Sequence, residues 1–258
     1  MKTLRGGCVV SQVEEHAART EGTRRFRTAI SRAQGAKHVA QTISEYAPGE
    51  SPVRVNPGAE EVLYCVAGRG SVRIAGRDYP LESGTAAYIP AGAEYSITNS
   101  RAEALRVVAV CCPQDDASHV VARPAQSGCG TPPARTVREQ ERPPIRSGDR
   151  HFRLLVDKDL GCRAVTQFVG FIPPSKAPFH FHTYEEAIFI LAGAGVVHTQ
   201  LEGDAVPDSQ PFSAGTSIFL PAGCLHCLEN PGTEPVRLLG VFYPSGSPSV
   251  SYDAGSDH

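Results

Sequence analysis

The chain has 258 residues, a formal net charge of −2 and 41% hydrophobic residues, as expected for one or two globular domains. Its basic residues are spread along the sequence, so nothing indicates a nucleic acid or an anionic membrane as a partner. No apolar stretch approaches the roughly 20 residues of a membrane-spanning helix, and we expect no secretory signal. The eight cysteines lie mostly within apolar strand patterns, which is typical of reduced thiols in a cytoplasmic protein.

Residues 1–23 have no clear strand pattern and are predicted to form an N-terminal arm. From Arg24 onward the chain begins a unit that it later repeats, and this repeat is the strongest organisational signal in the sequence. The matched pairs are, in order, Phe26 and Phe152, Gly35 and Gly161, Gln41 and Gln167, Pro48 and Pro174, Glu61 and Glu186, Gly68 and Gly193, Gly84 and Gly215, Pro90 and Pro221, Gly92 and Gly223, and Asn99 and Asn230.

Each copy consists of short apolar segments separated by Gly, Pro, Asn and Asp, the pattern of an all-β barrel. The predicted strands are 62–66, 71–74 and 87–89 in the first copy, and 187–191, 195–198 and 217–220 in the second. We therefore predict a first barrel over 24–113 and a second over 150–244. Residues 114–149 are rich in Pro, Arg and Gly and read as a surface linker, and 245–258 as a loosely held tail.

A cluster of potential metal ligands lies in the second copy. His180 and His182 stand two residues apart, so in a strand both imidazoles point to the same face. Glu186 follows four residues later, and His226 comes after a Pro-x-Gly turn. Three imidazoles and one carboxylate are ligand types that hold Mn, Fe, Co, Ni, Cu or Zn. The sequence predicts one divalent transition metal per chain and leaves its identity open.

These two stretches resemble the two motifs of the cupin superfamily, Gly-x5-His-x-His-x3,4-Glu-x6-Gly and Gly-x5-Pro-x-Gly-x2-His-x3-Asn. Pro174 replaces the leading Gly of the first motif, and every fixed position of the second is filled. The resemblance implies an all-β bicupin, with two tandem double-stranded β-helix (jelly-roll) barrels. It also implies that His180, His182, Glu186 and His226 bind a metal inside the second barrel.

The first copy lacks this ligand set. Depending on where a one-residue gap falls, its two histidine positions are Arg54 and Asn56 or Val55 and Pro57. Tyr95 stands in place of His226, and Glu61 is retained. We therefore expect no metal here. This barrel is then either purely structural or a second pocket formed by Arg54, Glu61 and Tyr95, in which Arg54 or Tyr95 holds an anion.

The wall of the substrate pocket can be predicted only in part. Strand alternation places Ile188, Ile190 and Leu228 beside the metal, and Phe171 is a further candidate. Cys224 shares the face of His226, and it either lies near the metal or packs as a small hydrophobic residue.

Three function classes fit this sequence. A metal held by three neutral ligands and one carboxylate suits a small anionic or oxygen-rich substrate, as in the bicupin dioxygenases, decarboxylases and isomerases. There Glu186 is the expected catalytic residue, which tunes the metal or accepts a proton. The chain also resembles ureidoglycine aminohydrolase in its size and tandem barrels, although the His180-x-His182 pattern differs from that family. A non-catalytic small-molecule-binding protein is the third class.

Of these classes, the sequence favours a metal-dependent oxidoreductase of the dioxygenase type. We also expect the two barrels to form an internal pair, which could pair further into a homodimer.

Overall fold

The computed structural model describes residues 1–114, 119–121, 134–248 and 252–253. The strands of the first half are Lys2–Thr3 (β1), Val9–Gln12 (β2), Arg19–Glu21 (β3), Arg24–Ile30 (β4), Ala40–Tyr46 (β5), Gly49–Glu50 (β6), Val53–Val55 (β7), Glu60–Ala67 (β8), Arg69–Ile74 (β9), Arg77–Glu82 (β10), Thr85–Ile89 (β11), Tyr95–Asn99 (β12), Leu105–Cys112 (β13) and His119–Val121 (β14). Those of the second half are Thr136–Arg138 (β15), Ile145–Ser147 (β16), Arg150–Val156 (β17), Thr166–Ile172 (β18), Ser175–Lys176 (β19), His180–Phe181 (β20), Glu185–Ala192 (β21), Ala194–Thr199 (β22), Asp208–Ser213 (β23), Thr216–Leu220 (β24), His226–Asn230 (β25), Val236–Tyr243 (β26) and Tyr252–Asp253 (β27).

Helical structure in the described residues is limited to single turns. These 3-10 helices are Arg5–Gly7, Val13–Glu15, Arg32–Gln34, Glu139–Glu141 and Lys158–Leu160. Across the same residues, no helix has the length and apolar character that crossing a bilayer requires.

The strands form four antiparallel sheets, two for each barrel. One barrel combines the sheet β15-β11-β8-β13-β5-β4-β3 with the sheet β10-β9-β12-β7-β14, in which β6 also pairs with β12. The other combines β1-β2-β24-β21-β26-β18-β17-β16 with β23-β22-β25-β20-β27, in which β19 also pairs with β25. The predicted all-β fold with two tandem jelly-roll barrels is therefore confirmed.

The two barrels pack against each other through their larger sheets. Alternate residues of these strands face either the interior of their own barrel or the neighbouring barrel. Val62 and Val110 of the first barrel share one buried cluster with Val169, Phe189 and Val241 of the second. Separate apolar clusters fill the interior of each barrel. The core is thus three-layered, and the layer between the barrels joins them into one body.

Each barrel also takes one strand from the segment that precedes the other. β2, near the N-terminus, pairs with β24 of the second barrel. β15, between the barrels, pairs with β11 of the first. The repeat therefore extends upstream of Arg24 and Arg150, where short strands are too poorly patterned to be read from the sequence. The exact domain boundaries remain a prediction.

Two glutamates at equivalent positions clamp the barrels together. Glu185 accepts hydrogen bonds from the backbone N–H groups of Lys37, His38 and Val39, at 2.6 to 2.9 Å. In the opposite direction, Glu60 accepts the N–H groups of Arg163 and Ala164 at 3.0 and 2.7 Å. Each carboxylate thus accepts hydrogen bonds from backbone N–H groups in a loop of the other barrel. These N–H groups would be costly to bury without a partner.

This clamp makes part of the stability depend on pH. Burial raises the pKa of Glu60, but hydrogen bonds from Tyr88 and the two amides outweigh burial and hold that pKa below its ordinary value. A lowered folded-state pKa contributes stability above the unfolded-state pKa of about 4.3, and this contribution is lost as the pH falls further through the folded-state pKa.

We expect Glu60→Gln to lower the free energy of unfolding by about 1 kcal/mol at pH 7, because a charge-assisted acceptor becomes neutral. The difference from wild type should shrink below about pH 4. Urea unfolding at both pH values tests this, and a deficit that does not change with pH would contradict it.

One buried hydrogen bond between the barrels has no counterpart at the equivalent positions of the repeat. Ser217 donates to the amide oxygen of Gln41 at 2.7 Å, across the interface. By the repeat, Gln167 corresponds to Gln41 and Ala86 to Ser217. Gln167 is 0% exposed, and neither its amide nitrogen nor its amide oxygen has a hydrogen-bond partner among the described residues. The alanine therefore leaves one buried amide unsatisfied.

Ala86→Ser should supply the missing hydroxyl and stabilise the protein by about 1 kcal/mol, the net value of a typical hydrogen bond. The matched control is Ala87→Ser, whose side chain faces the interior of the first barrel. Urea unfolding of both variants measures the effect. A destabilised Ala86→Ser would show that the repeat does not bring this hydroxyl to Gln167.

Candidate metal centre in the second barrel

The three histidines are positioned by two neighbouring strands and one turn. His180 in β20 lies directly opposite His226 in β25. The turn before β25 contains Gly223 at φ 77°, a left-handed conformation that glycine adopts without strain. The N–H of Gly223 donates to the carbonyl of His182 at 2.7 Å, so this turn also fixes the second histidine. The Pro-x-Gly signal thus serves to bring His226 beside the His180–His182 pair.

The imidazoles converge inside the barrel. One ring nitrogen of each of His180, His182 and His226 lies within 4.8 Å of those of the other two, an arrangement that could hold a metal ion. The ring centroids are 5.1, 4.5 and 5.0 Å apart. Three convergent nitrogens at this spacing fit a transition metal, which imidazole ligands suit.

Hydrogen bonds to the outer nitrogens orient two of these rings. Nδ1 of His226 lies 2.9 Å from the carbonyl of Cys224, and Nδ1 of His180 lies 3.0 Å from that of Pro178. A carbonyl can only accept, so in the neutral rings Nδ1 carries the proton and Nε2 keeps its lone pair. Burial, with the positive charges of His180 and His182 when protonated, lowers the pKa of His226 well below its ordinary value. This favours the neutral form that binds metals.

Glu186 lies beside the cluster without being part of its closest group. Its Oε2 is 3.9 Å from Nε2 of His182, and the side chain is buried. Burial raises the pKa of Glu186 to about 8. A buried carboxylate is costly unless a cation is near. A cation bound beside Glu186 would offset the cost of burying this carboxylate, and Glu186 as a fourth metal ligand stays a prediction.

A pocket of about 480 Å³ opens onto these residues. Its lining includes the three histidines and Glu186, together with the predicted wall residues Phe171, Ile188 and Leu228. Other lining residues were not identified from the sequence, and among them are Arg150, His151, Phe168, Tyr184 and Leu238. The signals for most of them were ordinary alternation within strands, which does not distinguish a pocket wall from a packed core.

Two predicted wall residues lie elsewhere. Ile190 is fully buried in the apolar interior of the barrel, two residues beyond Ile188 in β21, and does not line the pocket. Cys224 is buried against the N-terminal segment, close to Gly6 and Cys8, because the chain before β2 covers that end of the barrel. The cysteine therefore packs as a small hydrophobic residue, one of the two roles that the sequence left open.

An aromatic stack supports the second histidine. The ring of His182 stacks on Tyr184 at 4.4 Å and 8°, and Tyr184 stacks in turn on Phe242 at 4.2 Å. His151, on the rim, stacks on Phe171 at 4.4 Å. In contrast, His198 lies outside the pocket, where its ring nitrogens contact Ser209 and Glu229 at 2.7 and 2.8 Å. Stacking limits the rotamers of the ligand ring and so preorganises the site.

Two glycines leave space for side chains that line the pocket. A Cβ at Gly240 would lie 2.3 Å from Cζ of Phe168 and 2.8 Å from Oε1 of Glu186. Gly170, across the sheet from Leu238, likewise brings its backbone against Leu238 and Phe168. In the first barrel, Ala109 corresponds to Gly240 and Ser44 corresponds to Gly170. Close backbone approach at Gly240 therefore allows the phenyl ring and the carboxylate to lie side by side.

The first barrel has a different set of side chains at these positions. Tyr95 lies opposite Arg54 in β12 and β7, as His226 lies opposite His180. Of the two alignments that the sequence left open, this pairing supports the one in which Arg54 and Asn56 occupy the two histidine positions. Tyr95 donates to Glu61 at 2.9 Å, and Arg54 contacts Glu21 at 3.1 Å. The charge of Arg54 is thus balanced by Glu21 and Glu61, and Tyr95 joins this network as a neutral hydrogen-bond donor.

Comparison with known proteins identifies the fold family. A model of the cupin domain matches residues 42–111 and 168–242, which together make up more than half of the chain. Auxin-binding protein 1 of Arabidopsis thaliana is 29% identical over 75 residues, which is 28% of this chain and 38% of that protein.

Among solved structures, an oxalate decarboxylase matches with a TM-score of 0.77 and 16% identity, over 95% of this chain and 78% of the other. Bacillus subtilis oxalate decarboxylase at pH 4.6 matches with a TM-score of 0.75 and 16% identity, over 92% and 77% of the two chains. At this identity the likeness concerns the fold alone. The two matched cupin domains show that this chain belongs to the cupin family, as a bicupin.

Proposed function

We propose that the protein is a metal-dependent bicupin enzyme that acts on a small, anionic or oxygen-rich organic substrate in the second barrel. The observation that carries the proposal is the convergence of three histidines beside the buried Glu186, at the base of a 480 Å³ pocket. The reaction class that fits best is a dioxygenation, decarboxylation or isomerisation. The neighbouring oxalate decarboxylases support a metal-dependent reaction on a small substrate.

The proposed metal ligands are His180, His182, Glu186 and His226. A divalent metal bound here would polarise or bind oxygen atoms of a substrate. One of the solved neighbours, Bacillus subtilis oxalate decarboxylase, contains Mn(II) centres, which makes manganese the first ion to test. The ligand set itself also suits iron, cobalt, nickel, copper and zinc.

The side chains around the metal would have separate roles. Glu186 would balance the charge of the metal or accept a proton from the substrate, since burial favours its protonated form in the absence of a cation. Ile188, Leu228 and Phe168 would exclude water and confine an organic molecule. Tyr184 would keep the ring of His182 in place.

The proposal is tested by a substrate screen on protein loaded with Mn²⁺, Fe²⁺ or Zn²⁺, in air and under anaerobic conditions. Oxygen uptake with turnover of a small organic acid or phenol supports the dioxygenase form, and CO₂ release supports the decarboxylase form. Ammonia release from a ureido compound would point instead to a hydrolase. Tight binding of a small molecule without any turnover would contradict the enzyme proposal.

The remaining roles concern the first barrel and the assembly. We infer that the first barrel is structural, since Glu21 and Glu61 balance the charge of Arg54 and Tyr95 donates a hydrogen bond to Glu61. The chain would act as an internal pair of barrels that can associate further into a homodimer. Light scattering that gives only a 27.5 kDa species at high concentration would contradict the further association.

A further inference from the structure

We propose that Arg150 is the residue that recognises a carboxylate group of the substrate, and so determines the specificity of the second-barrel site. This inference rests on the proposed function and narrows its substrate class to small organic carboxylates. Arg150 begins β17 and lines the same pocket as the three histidines and Glu186.

The repeat provides an internal comparison for this arginine. Its counterpart in the first barrel is Arg24, which begins β4. Arg24 is only 3% exposed, and its Nε donates to Ser44 at 3.0 Å. Its Nη1 contacts Glu21 at 3.4 Å, and its guanidinium lies over the ring of Phe26 at 4.0 Å. In the first barrel, the equivalent cation is therefore satisfied by its own barrel.

The hydroxyl and the carboxylate that satisfy Arg24 are missing around Arg150. Gly170 stands at the position of Ser44, and Ser147 at that of Glu21. Nε of Arg150 is buried and has no hydrogen-bond partner among the described residues, and its nearest carboxylate, the mostly exposed Asp149, lies 3.9 Å away. The second barrel thus retains the arginine while it has lost the hydroxyl and the carboxylate.

Arg150 is nevertheless held in one orientation. Nη2 donates to the carbonyl of Leu228 at 2.7 Å, two residues beyond His226 in β25. This hydrogen bond ties the guanidinium to the strand that carries one of the histidines. The side chain is 21% exposed, so it reaches the pocket mouth and remains partly shielded from water. A fixed, partly exposed guanidinium whose charge is balanced by no carboxylate closer than 3.9 Å, in the part of the chain that the structure describes, is suited to binding an anion.

The geometry of the guanidinium indicates which anion. Its planar donors match a carboxylate, whose two oxygens can accept parallel hydrogen bonds. The pocket has a volume of about 480 Å³, which has room for a small acid, and both Arg150 and the three histidines line it. Lys176 also lines the pocket, but its ammonium contacts Glu229 at 3.1 Å and is half exposed. Arg150 is therefore the better candidate for specific recognition.

The test uses malonate as the probe, with malonamide as its uncharged analogue, in calorimetric titrations of the metal-loaded full chain. Wild type should bind malonate and not malonamide. Arg150→Gln should weaken malonate binding at least about tenfold, and Arg150→Lys should also weaken it because a point charge lacks the forked geometry. Lys176→Gln, which removes one charge from the same pocket, should stay within about threefold of wild type.

Metal content and melting temperature are measured on every variant, and both should match wild type for Arg150→Gln. Malonate affinity within threefold of wild type in Arg150→Gln, an equal loss in Lys176→Gln, or no malonate binding by wild type would each overturn the inference. Loss of metal from Arg150→Gln would also overturn it, because the role would then be structural. If the variants bind malonate as predicted but no acid is turned over, the role of Arg150 stands and only the enzyme proposal is contradicted.

Discussion

His182→Ala should remove both the metal and the activity, whereas Glu186→Gln should keep part of the metal and change the rate. The first substitution deletes one of three convergent nitrogens. Mutating a residue that only hydrogen-bonds to a metal ligand costs up to about 100-fold in metal affinity, so we expect the loss of a ligand itself to cost at least that much. The second keeps an oxygen at the same place but removes its negative charge. Metal content and turnover are measured together on both variants.

His198→Ala is the matched control for these substitutions. His198 belongs to the same barrel, but its ring contacts Ser209 and Glu229 outside the pocket. Its replacement should leave the metal content unchanged. If His182→Ala and Glu186→Gln both kept full turnover after losing the metal, the metal would be adventitious. The network of Arg54, Glu61 and Tyr95 in the first barrel would then be the next place to search for the active site.

We expect Gly240→Ala to disable the pocket, although glycine carries no side chain that could bind a metal or a substrate. The new Cβ would overlap with the ring of Phe168 and approach the carboxylate of Glu186, so one of these two side chains must move. We expect a loss of about 1–3 kcal/mol in unfolding free energy from overpacking, with a larger proportional loss of metal or activity. Urea unfolding and metal analysis measure the two effects separately.

The control for Gly240→Ala is Gly246→Ala, the same chemical change near the same barrel. Its Cβ would meet nothing closer than 3.8 Å, at Cε2 of Phe242, and should be tolerated. A Gly240→Ala protein with normal stability and full metal content would show that Phe168 and Glu186 can separate without consequence. The close packing of Gly240 against Phe168 and Glu186 would then not matter for the site.

The histidines and the barrels could be read from the sequence because their signals are local. The His-x-His spacing, the Pro-x-Gly turn and the short alternating strands all depend on neighbouring residues. They predicted the tandem barrels and the residues that the fold brings together as His180, His182 and His226. The repeat also indicated that the first copy lacks the histidines, although only the pairing of β7 with β12 fixed Arg54 and Asn56 as the substitutes.

The features that escaped prediction depend on contacts between distant segments. The pairing of β2 with β24 joins residues that lie about 200 positions apart, and the strands involved are short. The same contact explains why Cys224 packs against the N-terminal segment instead of the pocket. Arg150 gave no signal as a site residue, because an arginine at the start of a strand is usually a solvated surface residue. Its significance emerged only from comparison with the satisfied Arg24.

We expect one metal to bind per chain, in the second barrel, through the histidine cluster. Elemental analysis of protein purified without chelator tests it most directly, on wild type and His226→Ala in parallel. We predict close to one transition-metal ion per wild-type chain and the loss of most of it in His226→Ala, because the remaining pair of histidines cannot enclose the ion. Two ions per chain, or full retention of the metal in His226→Ala, would contradict the assignment.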